Sequence, residues 1–275
     1  MKNYDSHIHI GTYEENKIII QNSEYKNKYK LYSLINPEMI NMQEEYTKML
    51  DDFFAIPLFF KETNIERCNQ FVINYCKTNN KGIPALLIDK NDKFIGDYSV
   101  LLFKEHFLVN DFLDWRDRSK FYDFLNDNEG YLLIHCKDKI RVEYIKNLLI
   151  NFPKMNIIIA HLGRDTYEMT EFIRNILLAF AKNDNVLFDI STIHNVNNIL
   201  YALNIVGEDR ILYGSDFPFE YESVEEIYSL KKKLLNGLNN NEHIFVKNFE
   251  KIRNKVYVRK WTKSFRKKNW DSYDY

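Results

Sequence analysis

Residues 156–163 read Asn-Ile-Ile-Ile-Ala-His-Leu-Gly, and residues 131–136 read Tyr-Leu-Leu-Ile-His-Cys. Each stretch is apolar at three or more consecutive positions and is then closed by a histidine. Such runs are typical of strands that are buried on both faces, as in a parallel sheet covered by helices. Because a stretch with helical periodicity follows each run, both predict a β/α unit.

Pairs of this kind recur along the chain and give eight strand candidates, most of which precede an amphipathic stretch of helical length. This number predicts a (β/α)8 barrel, the TIM barrel of the α/β class, with a doubly wound open sheet as the competing architecture. The strand candidates cover residues 4–10, 53–60, 83–88, 100–108, 131–136, 156–161, 186–191 and 211–215. The helix candidates cover residues 37–51, 64–78, 115–127, 140–151, 167–182, 195–205 and 223–236.

Two segments differ from this alternation. Residues 12–52 are predicted to be an N-terminal insertion, and residues 251–275 a basic, aromatic extension of a barrel domain at 1–250. The extension holds nine Lys or Arg and two Asp side chains. We expect a helix that docks on the acidic barrel, although such a tail also suits contact with nucleic acid, with an anionic substrate or with a second copy in a homodimer.

The composition argues against several other classes of protein. The 275 residues include 39 acidic and 38 basic side chains, so the chain is not built as a whole to coat nucleic acid. No apolar run is long enough for a transmembrane helix. The three cysteines form no CxxC pair, which fits a reducing compartment. Because the N-terminus is too polar for a signal peptide, we expect a cytoplasmic protein.

Ionisable side chains follow the predicted strands at the points where the strands end. Because the C-terminal ends of barrel strands converge on one mouth, these side chains are expected to share a site. His7 and His9 are two residues apart, which places both imidazoles on one face of a strand. Neutral imidazoles donate lone pairs to divalent cations, so the pattern predicts a metal site. The strand-end residues are His7, His9, Lys104, Glu105, His106, His135, His161 and Asp216.

Four stretches carry a resemblance to a known family. They are Asp-Ser-His-Ile-His-Ile-Gly at 5–11, Leu-Ile-His at 133–135, Ile-Ala-His-Leu-Gly-Arg at 159–164 and Leu-Tyr-Gly-Ser-Asp-Phe-Pro at 212–218. Together they resemble the signature of the amidohydrolase superfamily, and most closely that of the amidohydrolase-2 branch of metal-dependent TIM-barrel hydrolases. The resemblance covers residues 4–219 in strand order.

The resemblance implies that His7, His9, His135 and Asp216 are ligands of one metal ion. In members with one ion, His161 would orient water or polarise the substrate. In members with two ions, it would bind the second ion together with His135. A carboxylated lysine or a glutamate on the fourth strand then bridges the two ions.

Lys104 and Glu105 both lie on the fourth predicted strand, where alternation lets only one of them reach the lumen. We expect Glu105 to be that residue and a metal ligand, because a glutamate needs no modification. A glutamate on this strand and the His135-Cys136 pair also resemble TatD-like deoxyribonucleases, whereas the motifs at 159–164 and 212–218 fit that branch less well.

These residues predict an enzyme that uses a metal-activated water. A bound divalent ion can lower the pKa of water toward about 7, and Asp216 can then act as general base and as general acid. The expected substrate is a small molecule with a C–N, C–O, ester or lactone-type bond, and nonoxidative decarboxylation is the known deviation in the resembling branch. Zinc is the expected ion, with Mn, Fe, Mg or Ni as alternatives, in one or two copies.

Arg164, Lys104, His106 and Phe217 are the candidates for substrate contacts, because they lie at or beside the strand ends. A TatD-like phosphoesterase or deoxyribonuclease is the alternative function, favoured by Glu105 and the basic tail. A third interpretation is a catalytically silent barrel that serves as a binding scaffold. Side-chain packing does not require five ionisable residues at one mouth, so their presence argues against the scaffold. The five are His7, His9, His135, His161 and Asp216.

Overall fold

The structure, a computed structural model, describes residues 1–11, 37–59, 63–88, 100–106, 116, 119–135, 140–164, 171–219, 221 and 223–257. Strands and helices alternate along these residues, as the hydrophobic pattern predicts. The strands are β1 (Tyr4–Ile10), β2 (Asp52–Pro57), β3 (Gly82–Pro84), β4 (Leu86–Leu87), β5 (Leu102–His106), β6 (Tyr131–His135), β7 (Asn156–Ile159), β8 (Val186–Asp189) and β9 (Ile211–Leu212). The α-helices are α1 (Pro37–Met49), α2 (Ile65–Thr78), α3 (Ser119–Asp127), α4 (Ile140–Asn151), α5 (Glu171–Ala179), α6 (Val196–Val206), α7 (Val224–Gly237) and α8 (Asn248–Tyr257).

The strands pair in parallel, in the orders β1-β2-β3 and β4-β5-β6-β7-β8-β9. The strand predicted at 83–88 is divided at Ala85, whose N–H donates to the carbonyl of Ala55 on β2 at 2.8 Å. Because Ala85 stays bonded to β2, β3 and β4 together occupy one strand position and join the two sheets.

Backbone hydrogen bonds also join the two outermost strands. The N–H of His9 on β1 donates to the carbonyl of Phe217 at 2.7 Å, and the N–H of Asp216 donates to the carbonyl of His7 at 2.8 Å. The chain that follows β9 is therefore bonded to β1, and the described strands fill eight positions around a closed barrel. This arrangement confirms the predicted TIM barrel.

Aromatic side chains fill the end of the barrel where the strands begin. The ring of Phe249 on α8 stacks on Tyr4 at 4.6 Å and on Phe54 at 4.4 Å. Ile252 and Val256, on the same helix, are buried in the same apolar cluster. The predicted division between residues 250 and 251 thus falls inside α8, whose apolar face belongs to the barrel core.

Arg210, close to the start of β9, ties the C-terminal ends of two helices together. Its guanidinium donates to the carbonyls of Phe180 (2.9 Å), Ala181 (2.6 Å) and Asn183 (2.8 Å) after α5. Its Nε donates to the carbonyl of Val206 on α6 at 2.7 Å. Three of these carbonyls follow the last residue of α5 and the fourth ends α6, so this side chain acts as a structural anchor of both helix ends, away from the barrel mouth.

Two predicted segments are covered only in part. Of the insertion at 12–52, residues 12–36 lie outside the described residues, and residues 37–52 contain α1 and the first residue of β2. Of the basic extension, residues 258–275 lie outside them as well. Among the helices that the structure describes, none has the length and apolar character that crossing a membrane requires.

Candidate metal centre

A register shift in β1 turns both of its histidines into the lumen. The pairing of β1 with β2 shifts between Asp5 and Ile8, so one extra residue is inserted into β1. Tyr4 already faces the inner cluster, and after the shift Ile8 packs in the cluster outside the barrel. His7 and His9 therefore point inward, and their ring centroids are 5.3 Å apart.

Carbonyl groups fix the orientation of two imidazoles. Nδ1 of His9 lies 3.0 Å from the carbonyl oxygen of Pro57, and Nδ1 of His161 lies 3.1 Å from that of Ser191. Since a carbonyl oxygen can only accept, Nδ1 carries the proton in both rings. The Nε2 atoms are then left as lone-pair donors, which is the state that a metal ligand needs.

A buried carboxylate orients the third imidazole. Nδ1 of His7 lies 2.9 Å from Oδ2 of Asp189, at the end of β8. The other oxygen of Asp189 accepts the backbone N–H groups of His161 and Ser191, each at 3.0 Å, and the hydroxyl of Ser191. Asp189 thus links β1 with β7 and β8 and leaves Nε2 of His7 as a lone-pair donor.

Asp216 faces these lone pairs. Its Oδ1 lies 3.2 Å from Nε2 of His7 and 3.3 Å from Nε2 of His9, and its Oδ2 lies 4.0 Å from Nε2 of His161. The ligand atoms of His7, His161 and Asp216 all lie within 4.8 Å of one another. Lone pairs and a carboxylate oxygen repel each other at such distances unless a cation or a proton lies between them, so this donor set fits a divalent cation.

Left-handed backbone conformations bring two of these side chains into place. Three consecutive residues after β7 have positive φ: His161 (56°), Leu162 (52°) and Gly163 (74°). The strand predicted at 156–161 consequently ends at Ile159. Asp216 also has a positive φ of 66°. Non-glycine residues in this region are strained, and such strain is commonly held at functional sites.

Gly214 allows β1 and the chain after β9 to come close together. A Cβ atom at this position would lie 2.7 Å from the Cβ of His7. A contact this short would separate His7 from Asp216, two residues further along the chain. A glycine is therefore required here by the close approach of two backbones.

Burial determines the charge of the imidazoles. It lowers the pKa of His9, although the hydrogen bond to Asp216 acts in the opposite direction. Burial lowers the pKa of His135 well below its usual value and the pKa of His161 to about 3. In the protein without a cation, desolvation thus keeps His9, His135 and His161 neutral.

The two carboxylates stay ionised in spite of their burial. Burial alone would raise the pKa of Asp216, but the imidazoles of His161 and His7 outweigh it and hold that pKa below its usual value. Burial would likewise raise the pKa of Asp189, and the nearby His7 reverses the shift. Neutral imidazoles around ionised carboxylates are the protonation states in which these groups bind a metal.

The cation-free protein is expected to lose stability as the pH falls below about 6.5. Below this pH, histidines with a lowered pKa are protonated in the unfolded chain but stay neutral in the folded protein. Each of them therefore lowers the free energy of unfolding by about 1.4 kcal/mol per pH unit. His161, with its pKa of about 3, contributes to this loss of stability at every pH between about 6.5 and 3. Urea unfolding in the presence of a chelator should show a shallower decline from pH 6 to 5 for His161→Gln than for the unchanged protein. Equal declines would contradict the neutral state of His161, and the two proteins compared at pH 8 provide the baseline.

The prediction that Glu105 reaches the lumen is wrong. Its carboxylate accepts hydrogen bonds from the hydroxyls of Tyr144 (3.0 Å) and Tyr122 (3.4 Å), which lie on the helices α4 and α3 outside the barrel. Lys104 faces inward instead, and its Nζ lies 3.3 Å from Nε2 of His7. Strand alternation therefore selects Lys104, and Glu105 is not placed to bridge two ions.

His106 and His135 lie side by side at the same mouth, as their strand ends predict. Their ring centroids are 4.4 Å apart, and the ring of His135 is 4.8 Å from that of His161. Phe59 covers His106 at 4.9 Å and His9 at 5.5 Å. These rings therefore lie beside His7, His161 and Asp216, the three residues whose ligand atoms come together.

The other two predicted substrate contacts, Phe217 and Arg164, lie in different surroundings. Phe217 is fully buried outside the barrel, where its ring lies 5.4 Å from that of Tyr46, so its predicted place in the pocket wall is wrong. Phe219 lies at the mouth instead, with its ring edge-on to His9 at 5.0 Å. Arg164 is partly buried after the turn that holds His161, and its positive charge contributes to lowering the pKa of that histidine.

The sequence singles out Asp189 and Ser191 as strand-end residues that could hydrogen-bond a ligand, but not as supports of the imidazoles. Asp189, Ser191 and the carbonyl of Pro57 hold the imidazoles, and none of them was predicted to do so. A carboxylate at the inward-facing last position of β8 is the signal that could have revealed Asp189. Its partner His7 is 182 residues away in the sequence, so the pairing itself requires the closed barrel.

Comparisons with known proteins agree with this fold. The family model described as "Amidohydrolase" matches residues 78–239, more than half of the chain, although β1 lies outside the match. No curated protein sequence matches the chain at a significant level.

Several solved structures share the fold at low sequence identity. An amidohydrolase from Burkholderia multivorans with bound zinc has 14% identity and a TM-score of 0.67, over 94% of this chain and 99% of that one. The 5-carboxyvanillate decarboxylase from Sphingomonas paucimobilis has 10% identity and a TM-score of 0.64, over 91% and 98%. A probable 2-pyrone-4,6-dicarboxylic acid hydrolase from Acinetobacter baumannii, with citric acid bound, has 15% identity and a TM-score of 0.64, over 92% and 99%.

The fold, the strand-end histidines and the family match point to one conclusion. The barrel is complete among the described residues, and its mouth carries the donor set that a divalent cation needs. The resemblance seen in the strand-end motifs is thereby confirmed. This chain belongs to the amidohydrolase family and is an enzyme of the amidohydrolase type.

Proposed function

We propose that this protein is a metal-dependent hydrolase of small, carboxylate-bearing molecules, with zinc as its ion. The observation that carries the proposal is the approach of the ligand atoms of His7, His161 and Asp216 to within 4.8 Å of one another. His9 adds a further imidazole at 3.3 Å from Asp216, and His135 lies against the ring of His161. When bound by these residues, the divalent cation would polarise the scissile carbonyl and lower the pKa of a nearby water.

Asp216 would transfer the proton from the attacking water to the leaving group. Its carboxylate is ionised, because the neighbouring imidazoles hold its pKa below the usual value, so it can accept a proton from the attacking water. The same oxygen can then deliver that proton to the departing oxygen or nitrogen atom. His161 is neutral and directs its Nε2 toward the same cavity, where it can bind the cation or orient the scissile bond.

Lys104 is the feature that favours a carboxylate-bearing substrate. Its side chain is fully buried on the inner face of β5. It adds a positive charge beside His7, and that charge contributes to lowering the pKa of His9 and of His106. Together with a divalent cation, Lys104 would outweigh the negative charges of Asp216 and Asp189, so the cavity attracts anions. The similar structures from Sphingomonas and Acinetobacter carry names of carboxylated aromatic or pyrone compounds, which supports the same substrate class.

Nonoxidative decarboxylation is the second candidate, and the similarity to the 5-carboxyvanillate decarboxylase favours it. In that reaction Asp216 would first take a proton from water and would then deliver it to the carbon atom, which keeps the electron pair of the broken C–C bond as CO2 leaves. The TatD-like alternative is weaker, because Glu105, one of its supports, faces the helices instead of the lumen. Its other supports are Cys136 and the basic tail, and Cys136 and residues 258–275 of the tail lie outside the described residues.

The test is a screen of protein that has been stripped with a chelator and reloaded with one equivalent of zinc. Carboxylated and uncharged lactones, esters and amides are compared, and release of CO2 from aromatic acids is followed in parallel. We expect zinc-dependent turnover of the carboxylated compounds. Turnover that is independent of any divalent cation would contradict the proposal, and CO2 release without hydrolysis would select the second candidate.

The substitution Lys104→Met is expected to weaken the binding of carboxylated substrates and not that of uncharged ones. Loss of a charge-assisted contact should raise KM for them by about 10-fold to 100-fold, whereas uncharged analogues should change little. Glu105→Gln is the matched control, because it removes a neighbouring charge that points away from the lumen. Equal changes of KM for charged and uncharged compounds would show that Lys104 does not contact the carboxylate.

A further inference from the structure

The cation site lies on a seam between two chain segments that are distant in the sequence. His7 and His9 belong to β1, whereas Asp216 belongs to the turn that follows β9. The distance of 3.2 Å between Nε2 of His7 and Oδ1 of Asp216 therefore depends on how these two segments are held together. Neither segment alone can set this distance.

One buried carboxylate bridges the seam beside the ligands. Oδ1 of Asp5, which is fully buried, accepts the backbone N–H of His7 at 3.0 Å and the backbone N–H of Ser215, also at 3.0 Å. The first of these amides belongs to a ligand, and the second belongs to the residue directly before Asp216. Its other oxygen, Oδ2, accepts the hydroxyl of Tyr46 from α1 at 2.6 Å.

The positive charge of a buried ammonium group, that of Lys231, acts on the carboxyl group of Asp5. Nζ of Lys231 on α7 donates to the carbonyl of Tyr4 at 2.7 Å and to Oδ1 of Asn3 at 2.8 Å. It also lies 4.1 Å from the centre of the Tyr213 ring, on the chain that leads from β9 to the cation site. A buried charge is costly unless hydrogen bonds and an opposite charge compensate for it, and Asp5 has both kinds of partner.

We propose that Asp5 is a positioning residue for the cation site. By accepting the amides of His7 and Ser215 with one oxygen, it fixes the imidazole of His7 and the carboxylate of Asp216 at the separation that a cation requires. Asp5 does not bind the cation itself. This inference rests on the proposed metal-dependent function, and it assigns a role to the first residue of the Asp-Ser-His-Ile-His stretch.

The experiment measures Co²⁺ binding to chelator-stripped protein, by titration and by the visible absorption of the bound ion. Asp5→Ala removes both acceptors and is expected to weaken binding by about 10-fold to 100-fold and to change the absorption spectrum. Asp5→Asn keeps an oxygen for the two amides, and its NH2 can donate to Tyr46, so binding should stay within about threefold of the unchanged protein. If Asp5→Ala is insoluble, Asp5→Ser replaces it with the same expected loss.

Arg210→Met provides the control for stability. It removes hydrogen bonds to the ends of α5 and α6, away from the mouth, and should leave Co²⁺ affinity and spectrum unchanged. Equal losses in Arg210→Met and Asp5→Ala would show that affinity merely follows stability, and would overturn the inference. Unchanged binding in Asp5→Ala would also overturn it. If the unchanged protein binds no Co²⁺, the proposed function itself fails.

Discussion

Replacing Asp216 with asparagine is expected to lower turnover by about a thousandfold while the protein still binds its cation. The asparagine oxygen can occupy the place of Oδ1, which lies 3.2 Å from Nε2 of His7 and 3.3 Å from Nε2 of His9. An amide cannot accept the proton of the attacking water, however, and so cannot pass it to the leaving group. Activity should therefore be lost to a greater degree than cation binding.

The measurement combines kcat with the cation content of the same preparation. Asp123→Asn is the matched control, because this exposed aspartate on α3 undergoes the same chemical change away from the barrel mouth. It should leave both quantities unchanged. An Asp216→Asn protein with full cation content and undiminished kcat would disprove the proton-transfer role, whereas parallel loss of both quantities would make Asp216 chiefly a ligand.

Strand-end residues could be predicted because barrel geometry constrains them strongly. The apolar runs identify parallel strands, and the C-terminal ends of such strands must meet at one mouth. His7, His9, His135, His161 and Asp216 follow from this rule, and the structure brings them to that mouth. The position along a strand was therefore sufficient to predict which side chains meet at the mouth.

The direction of a side chain was harder to predict than its position. Lys104 shares its face of the strand with Leu102 and His106, and Glu105 shares the opposite face with Phe103. Each face thus carries apolar and ionisable side chains, so the pattern does not show which face is inside. Tyr122 and Tyr144, on helices later in the chain, donate hydrogen bonds to the carboxylate of Glu105 and thereby determine its direction. Phe217 was misplaced for a similar reason, because the left-handed turn at Asp216 sends the following chain outward.

Zinc is expected to raise the melting temperature of the chelator-stripped protein by about 5–10 °C. A ligand at 100 times its Kd adds about 2.7 kcal/mol when it binds only the folded state, and each kcal/mol shifts a domain of this size by about 2–4 °C. The stabilisation arises because His7, His161 and Asp216 come within 4.8 Å of one another only when the barrel is closed. His7→Ala should remove most of the shift, since His7 also links Asp216 to Asp189.

His243→Ala is the matched control for this measurement. This histidine pairs with Asp209 at 2.6 Å on the surface, outside the lumen, so its loss should leave the zinc-induced shift intact. Scanning calorimetry of the three proteins, with and without zinc, gives the comparison. An equal shift in His7→Ala would place the zinc elsewhere, and no shift in the unchanged protein would contradict the metal site. The shift depends on the folded barrel and not on the substrate, so it tests the cation site before any substrate is known.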